Sequence, residues 1–190
     1  GYLYSARTAA AAYKAVSGRS YDLIVILAPS HQEYFTGATI YPGQAYETPL
    51  GRVEIDSQAA TRLSASCRFF RLSATGHGPR EHSLEVQLPF VQHLFPGTPI
   101  LPIMIGSCEW ESCAKMGKAL GSLLAERKAL IIASTDLYHG YSYDAGLVSD
   151  AATLAAITRM EPRALHAGME SGQYQACGGT PLAVMQVAAL

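Results

Sequence analysis

Residues 23–31 read LIVILAPSH. Six apolar residues in a row, rich in β-branched types, are how a strand buried on both faces reads. The run stops at Pro29-Ser30-His31, so a histidine follows directly on a buried strand. Residues 129–134, ALIIAS, read as another buried strand and end at Thr135-Asp136. Residues 100–105, ILPIMI, form a further strand, which Pro102 marks as an edge or a bulge.

Helical patterns stand around these strands. Residues 2–16 are Ala-rich with few breakers. Residues 57–66 read as a helix with Ser57 as its cap. In 82–95, Leu84, Leu88, Val91 and Phe95 fall on one apolar stripe. Pro89 bends that helix or sits in its first turn. Helices also follow over 109–127, 144–160 and 162–171, the last opening on Pro162. Gly178-Gly179 break the chain before a final helix. Residues 38–55 read as loop and short strands, with 52–55 alternating, and 68–72 reads as a strand. This alternation predicts an α/β fold: a mainly parallel or mixed central sheet flanked by helices, in a single domain.

Composition narrows the function. An apolar fraction of 49% with 15% charged residues excludes a disordered chain. The balance of 14 Lys+Arg against 15 Asp+Glu gives neither a nucleic-acid footprint nor a polybasic membrane arm. The block 21–29 is too short for a membrane span, which needs roughly 20 apolar residues, and it contains Asp22. No secretory leader pattern is present, and the four cysteines form no CxxC pair. They read as free thiols of a cytoplasmic protein. The chain opens on Gly1-Tyr2 inside a helical pattern and stops while still helix-like, so 1–190 reads as a domain truncated at both ends.

Ligands of open α/β sheets bind beyond the carboxyl ends of the strands. Two strands here end in reactive side chains: His31 after the first, and Asp136 and His139 after ALIIAS. In a helical turn, the i, i+3 spacing of Asp136 and His139 points both the same way. A carboxylate beside an imidazole fixes its tautomer and raises its basicity, or leaves a surface hydrogen bond only. His82 and Glu85 have the same spacing and read either as a helix cap or as support for a site. Cys177 precedes Gly178-Gly179-Thr180-Pro181 and a helix, a setting that favours thiolate. Cys67, Cys108 and Cys113 read as buried and inert, and His77, His93 and His166 as surface residues. Walker, GxSxG and GxGxxG motifs are absent.

Seven stretches in this order resemble the Memo-like family, called AmmeMemoRadiSam system protein B in bacteria and archaea. They are GYLYSARTAAAAYKAV (1–16), ILAPSH (26–31), YETPLG (46–51), EHSLEVQLPF (81–90), PIMIG (102–106), STDLYHGYSY (134–143) and CGGTPLAV (177–184). The resemblance implies the fold of class III extradiol (LigB-type) dioxygenases, with non-haem Fe(II). It implies His31 and Cys177 as metal ligands, Asp136 and His139 as catalytic residues, and His82 and Glu85 as their support. Cys177 replaces the carboxylate ligand of the dioxygenases and opens the site to copper or zinc. The family's first histidine lies in a Pro-His-Ala-Gly-Tyr stretch whose end matches Gly1-Tyr2, so it falls before residue 1. The implied activity is a redox reaction on a small molecule. Two competing expectations are a non-catalytic peptide- or protein-binding module using the same cleft, with Arg52 and Arg80 as anion contacts, and a zinc hydrolase. The implied partners are AmmeCR1-type and radical-SAM proteins, and a homo-oligomer can form through an exposed strand edge.

Overall fold

The computed structural model describes all 190 residues. Its elements are α1 (Tyr2–Val16), β1 (Leu23–Pro29), β2 (Ala38–Ile40), β3 (Ala45–Thr48), β4 (Gly51–Glu54), α2 (Ser57–Ser66), β5 (Phe70–Leu72), α3 (Leu88–Leu94), β6 (Ile100–Ile105), α4 (Trp110–Leu124), β7 (Ala129–Ala133), α5 (Tyr143–Thr158), α6 (Pro162–Glu170) and α7 (Gly179–Ala189). A five-stranded sheet has the order β5-β2-β6-β1-β7, and β3 and β4 make a separate hairpin. β1 runs parallel to both β6 and β7, while β2 is antiparallel to β6. The sheet is therefore mixed and mostly parallel, flanked by helices, as the alternation of elements predicts. No helix is long and apolar enough to cross a membrane.

β1 is the spine, with all seven residues buried. Its side chains alternate between the two faces. Leu23, Val25 and Leu27 join a core with α2, α4 and Val184 of α7. Ile24, Ile26 and Ala28 join a second core with Tyr13 of α1, Leu88 and Val91 of α3, and Phe95. A small third cluster of Ala156, Leu165 and Leu182 ties α5 and α6 to α7. Each fully buried Leu or Ile contributes about 1.5–3 kcal/mol relative to an exposed position.

Four local readings change. Pro102 lies in an interior strand, not at an edge. The Ile105 carbonyl accepts from Ser30 and that of Pro99 from Ile24, so odd positions of β6 face β1. Pro102 faces the other way, and on that side β2 has already ended at Ile40, opposite Ile103. Its missing N–H therefore costs the ladder nothing. β7, read as fully buried, is half-buried throughout, because it is the edge strand and pairs with β1 alone. The cap of α2 is Asp56 rather than Ser57: its carboxylate accepts from the Ala59 N–H at 2.8 Å and also from Arg127 at 2.6 Å. The stretch 82–95 is not one helix; a 3₁₀ turn at Glu85–Gln87 leads into α3, with Pro89 in its first turn. The apolar stripe Leu84, Leu88, Val91, Phe95 is nonetheless wholly buried.

The β3–β4 hairpin is held to the sheet by a histidine read as a surface residue. His77 packs beside Tyr41 and Tyr46, and its Nδ1 accepts from the Tyr46 hydroxyl at 2.5 Å. Its Nε2 is 3.4 Å from the Thr39 carbonyl, the place for the remaining ring proton. Burial pushes His77 down from 6.5 to about 4. The unfolded chain thus takes up this proton near pH 6.5 and the folded chain only near 4. The His77 contribution to stability is complete above pH 6.5 and is lost as pH falls toward 4. Melting temperature should therefore drop across that window, and His77→Gln should flatten the drop. An unchanged slope in the variant would refute the assignment.

Candidate functional site

A cleft of about 630 Å³ opens beyond the carboxyl ends of β1 and β7. Four regions far apart in sequence wall it. α1 contributes Tyr4, Thr8 and Tyr13; the 80–87 segment contributes Arg80, Glu81 and His82; and the exits of β1 and β7 contribute His31, Ser134 and Asp136. Cys177 closes the far side, and Gly1 also lines the space.

His31 follows β1, as its sequence position requires. Its ring Nδ1 lies 3.1 Å from Oε1 of Glu81, a carboxylate only 7% exposed. The other carboxylate oxygen accepts from the His31 backbone N–H at 2.5 Å and from Gln32 at 3.3 Å. The Ser83 N–H donates to Oε1 at 3.1 Å. Burial alone would raise this carboxyl; the hydrogen bonds from His31 and Ser83 outweigh it and hold Glu81 down to about 2. An Nδ1–H donated to Glu81 leaves the His31 Nε2 lone pair free. Glu81 escaped the sequence reading because it looked like the acidic start of a helix. Its place beside His82 in EHS was the signal available.

Cys177 is held by two opposed backbone contacts. Its N–H donates to the Asp136 carbonyl, and its Sγ accepts from the Asp136 N–H, both at 3.1 Å. The Thr135 hydroxyl is 3.7 Å from the sulfur. Gly178 caps α7 and donates to Thr135 Oγ1 at 2.8 Å. A side chain at 178 would run into the Ser134 carbonyl, which explains the first glycine of Cys-Gly-Gly.

The Asp136–His139 pair does not form. Residues 134–139 are not helical, because Asp136 is tied to Cys177 and the Tyr138 N–H to the Asp150 carboxylate at 2.9 Å. His139 is exposed, with Nδ1 2.8 Å from the Leu137 carbonyl. Asp136 lines the cleft and His139 does not. His82 and Glu85 do pair, at 2.8 Å, as an exposed couple at the mouth. Arg80 lines the cleft without an ion pair, whereas Arg52 is engaged by Glu54 at 2.6 Å on the hairpin.

The floor holds a polar chain that the sequence reading did not foresee. The Tyr13 hydroxyl donates to Gln87 Oε1 at 2.9 Å, and Gln87 Nε2 donates to Ser134 Oγ at 2.9 Å. Ser134 donates in turn to the Ser83 carbonyl at 2.6 Å. Burial raises the Tyr13 phenol, so it remains a donor. The chain joins α1, the 83–87 segment and the end of β7, which orders three walls at once.

His31 and Cys177 have the donor chemistry of an iron, copper or zinc site. No three His, Cys, Asp or Glu side chains stand together as a group that could hold a metal ion. Residues 1–190 by themselves thus do not complete the three-ligand centre that the resemblance implied.

The architecture is that of an α/β domain with a cleft at the carboxyl edge of parallel strands. A family model described as Memo-like protein matches residues 1–189. A MEMO1 family protein of Nitrosopumilus maritimus is 31% identical over 189 residues, which cover 99% of this chain and 68% of that protein. One from Aeropyrum pernix is 34% identical over 187 residues, covering 96% and 66%. One from Methanothermobacter thermautotrophicus is 34% identical over 191 residues, covering 99% and 69%. The chain belongs to the Memo-like family, and it spans about two thirds of the length of these relatives.

Glu81→Gln should cost about 1–3 kcal/mol at pH 7, because an amide NH₂ then faces buried N–H donors. It should also remove the acid-dependent loss of stability that Glu81 contributes as pH falls from 4.5 toward 2. Denaturant titrations at several pH values check both.

Proposed function

We propose that this domain is the small-molecule site of a Memo-family protein, in which His31 and Cys177 are two ligands of a mononuclear metal centre. The remaining protein ligand comes from outside residues 1–190. One observation carries the reading: His31 and Cys177, from opposite halves of the sequence, line a single cleft that Gly1 also lines. The position of Gly1 in the cleft agrees with the resemblance, which puts the family's first histidine two positions before it.

Each residue has a definable task. Glu81 orients the His31 ring through Nδ1 and keeps Nε2 turned to a ligand role. The Asp136 N–H steadies the Cys177 sulfur. Asp136, the member of the expected catalytic pair that lines the cleft, is placed to hold a proton at its carboxylate; His139 stands outside. Arg80, free of an ion pair, is placed to bind an anionic group of the substrate. Iron, the first choice for this donor set, or copper would supply redox chemistry when bound. Zinc would turn the same site toward hydrolysis.

The test is anaerobic metal analysis of the chain with Pro-His-Ala placed before Gly1, beside the 190-residue form. The extended form should retain near-stoichiometric iron or copper and the shorter form far less. His31→Ala and Cys177→Ala in the extended form should each lose that metal. Unchanged metal content in both variants would overturn the proposal. Absence of metal from both forms, with the fold intact and a bound peptide or protein, would favour the cleft as a binding module.

A further inference from the structure

A second cavity, of about 280 Å³, lies behind Cys177. Ser107, Cys108, His166, Glu170 and Thr180 line it together with Cys177. Two readings change here: Cys108 is half-buried rather than enclosed, and His166 is buried rather than at the surface. The Cys108 backbone is clamped in place. Its carbonyl lies 3.2 Å from His166 Nε2, and its Sγ is 3.7 Å from the Gly37 carbonyl.

Cys108 immediately precedes Glu109, the N-cap of α4, and Cys113 sits in the second turn. These are the two positions whose side chains meet across a helix entry in a hydrophobic staple. Cys113 Sγ lies 4.0 Å from the Cys108 carbonyl, so both thiols sit at the same helix entry. Cys113 is wholly buried, so Cys108 is the member reached from the cavity.

We propose that Cys108 and Cys113 are a redox-active dithiol that closes to a disulfide when a hydroperoxide enters the cavity behind Cys177. The step balances with hydrogen peroxide as the oxidant. The Cys108 sulfur attacks one peroxide oxygen, the O–O bond breaks, and the other oxygen leaves as water with the Cys108 proton. The Cys108 sulfenic acid that results is attacked by the adjacent Cys113 sulfur. The S–S bond forms, the S–O bond breaks, and the hydroxyl leaves as water with the Cys113 proton. Two thiols are oxidised by two electrons, and one peroxide is reduced to two waters. The neighbouring Cys113 side chain holds the Cys108 thiol below its usual value, while Cys108 and burial push Cys113 up. The roles are thus unequal: Cys108 reacts first and Cys113 resolves. A resolving thiol at the same helix entry keeps Cys108 from going on to the irreversible sulfinic acid.

The experiment uses the reduced 190-residue protein and hydrogen peroxide at a few equivalents. Thiols titrated after denaturation should fall from the four of the sequence to two, and dithiothreitol should restore them. Peptide mass spectrometry should find Cys108 joined to Cys113. Cys113→Ala should leave Cys108 as a sulfenic acid that dimedone traps. Cys108→Ser, at the less buried position, should abolish the linkage and serves should the first variant fail to fold. The single tryptophan, Trp110, packs 5.9 Å from His166 beside the pair, so its fluorescence should follow the reaction. Cys108 and Cys113 remaining reduced while Cys177 is oxidised would overturn the proposal, as would four thiols persisting.

Discussion

The site depends on one buried carboxylate. Glu81 sits almost out of water, and a charge there is tolerable only when every oxygen finds a donor. It finds them at the exit of β1, in the His31 and Gln32 backbone and the His31 ring, and in its own segment at Ser83. Ser83 then reaches back to the Pro29 carbonyl at 2.7 Å. The segment before α3 is thereby fastened to the end of the most buried strand. His31 is aimed into the cleft by a group that never enters the sheet.

Much of the fold was legible because burial on both sides of a sheet leaves a plain trace. LIVILA has no polar residue on either face, and both cores are built from its two sets of alternate side chains. ALIIAS has the same composition, yet it forms an edge. Composition reports how apolar a strand's faces are, while its neighbours in the sheet are decided by chains far away in sequence. Pro102 misled for a related reason. A proline excludes a hydrogen bond on one side only, and whether a partner waits there depends on where β2 ends.

The site was legible one residue at a time and obscure in its pairings. His31 and Cys177 were found from a strand end and a glycine-rich helix entry, both local features, and they line one cleft. Asp136 and His139 were paired by spacing, which holds only for a helical turn. The backbone bonds of Asp136 to Cys177 keep that segment extended. His82 and Glu85 do pair as their spacing suggests, but the carboxylate–histidine pair at the end of β1, Glu81 with His31, spans 50 positions. Nothing in local periodicity encodes such a distance. The Tyr13–Gln87–Ser134 chain was hidden for the same reason.

The edge position of β7 has a consequence for how this domain meets other polypeptides. One side of Ala129–Ala133 satisfies its backbone on β1, and the other presents free N–H and C=O groups. Natural edges are blunted by lysine, proline or a bulge, and ALIIA offers none of these between Lys128 and Ser134. Within residues 1–190 this strand has a neighbour on one side only. An edge of this kind is where further extended chain adds to a sheet.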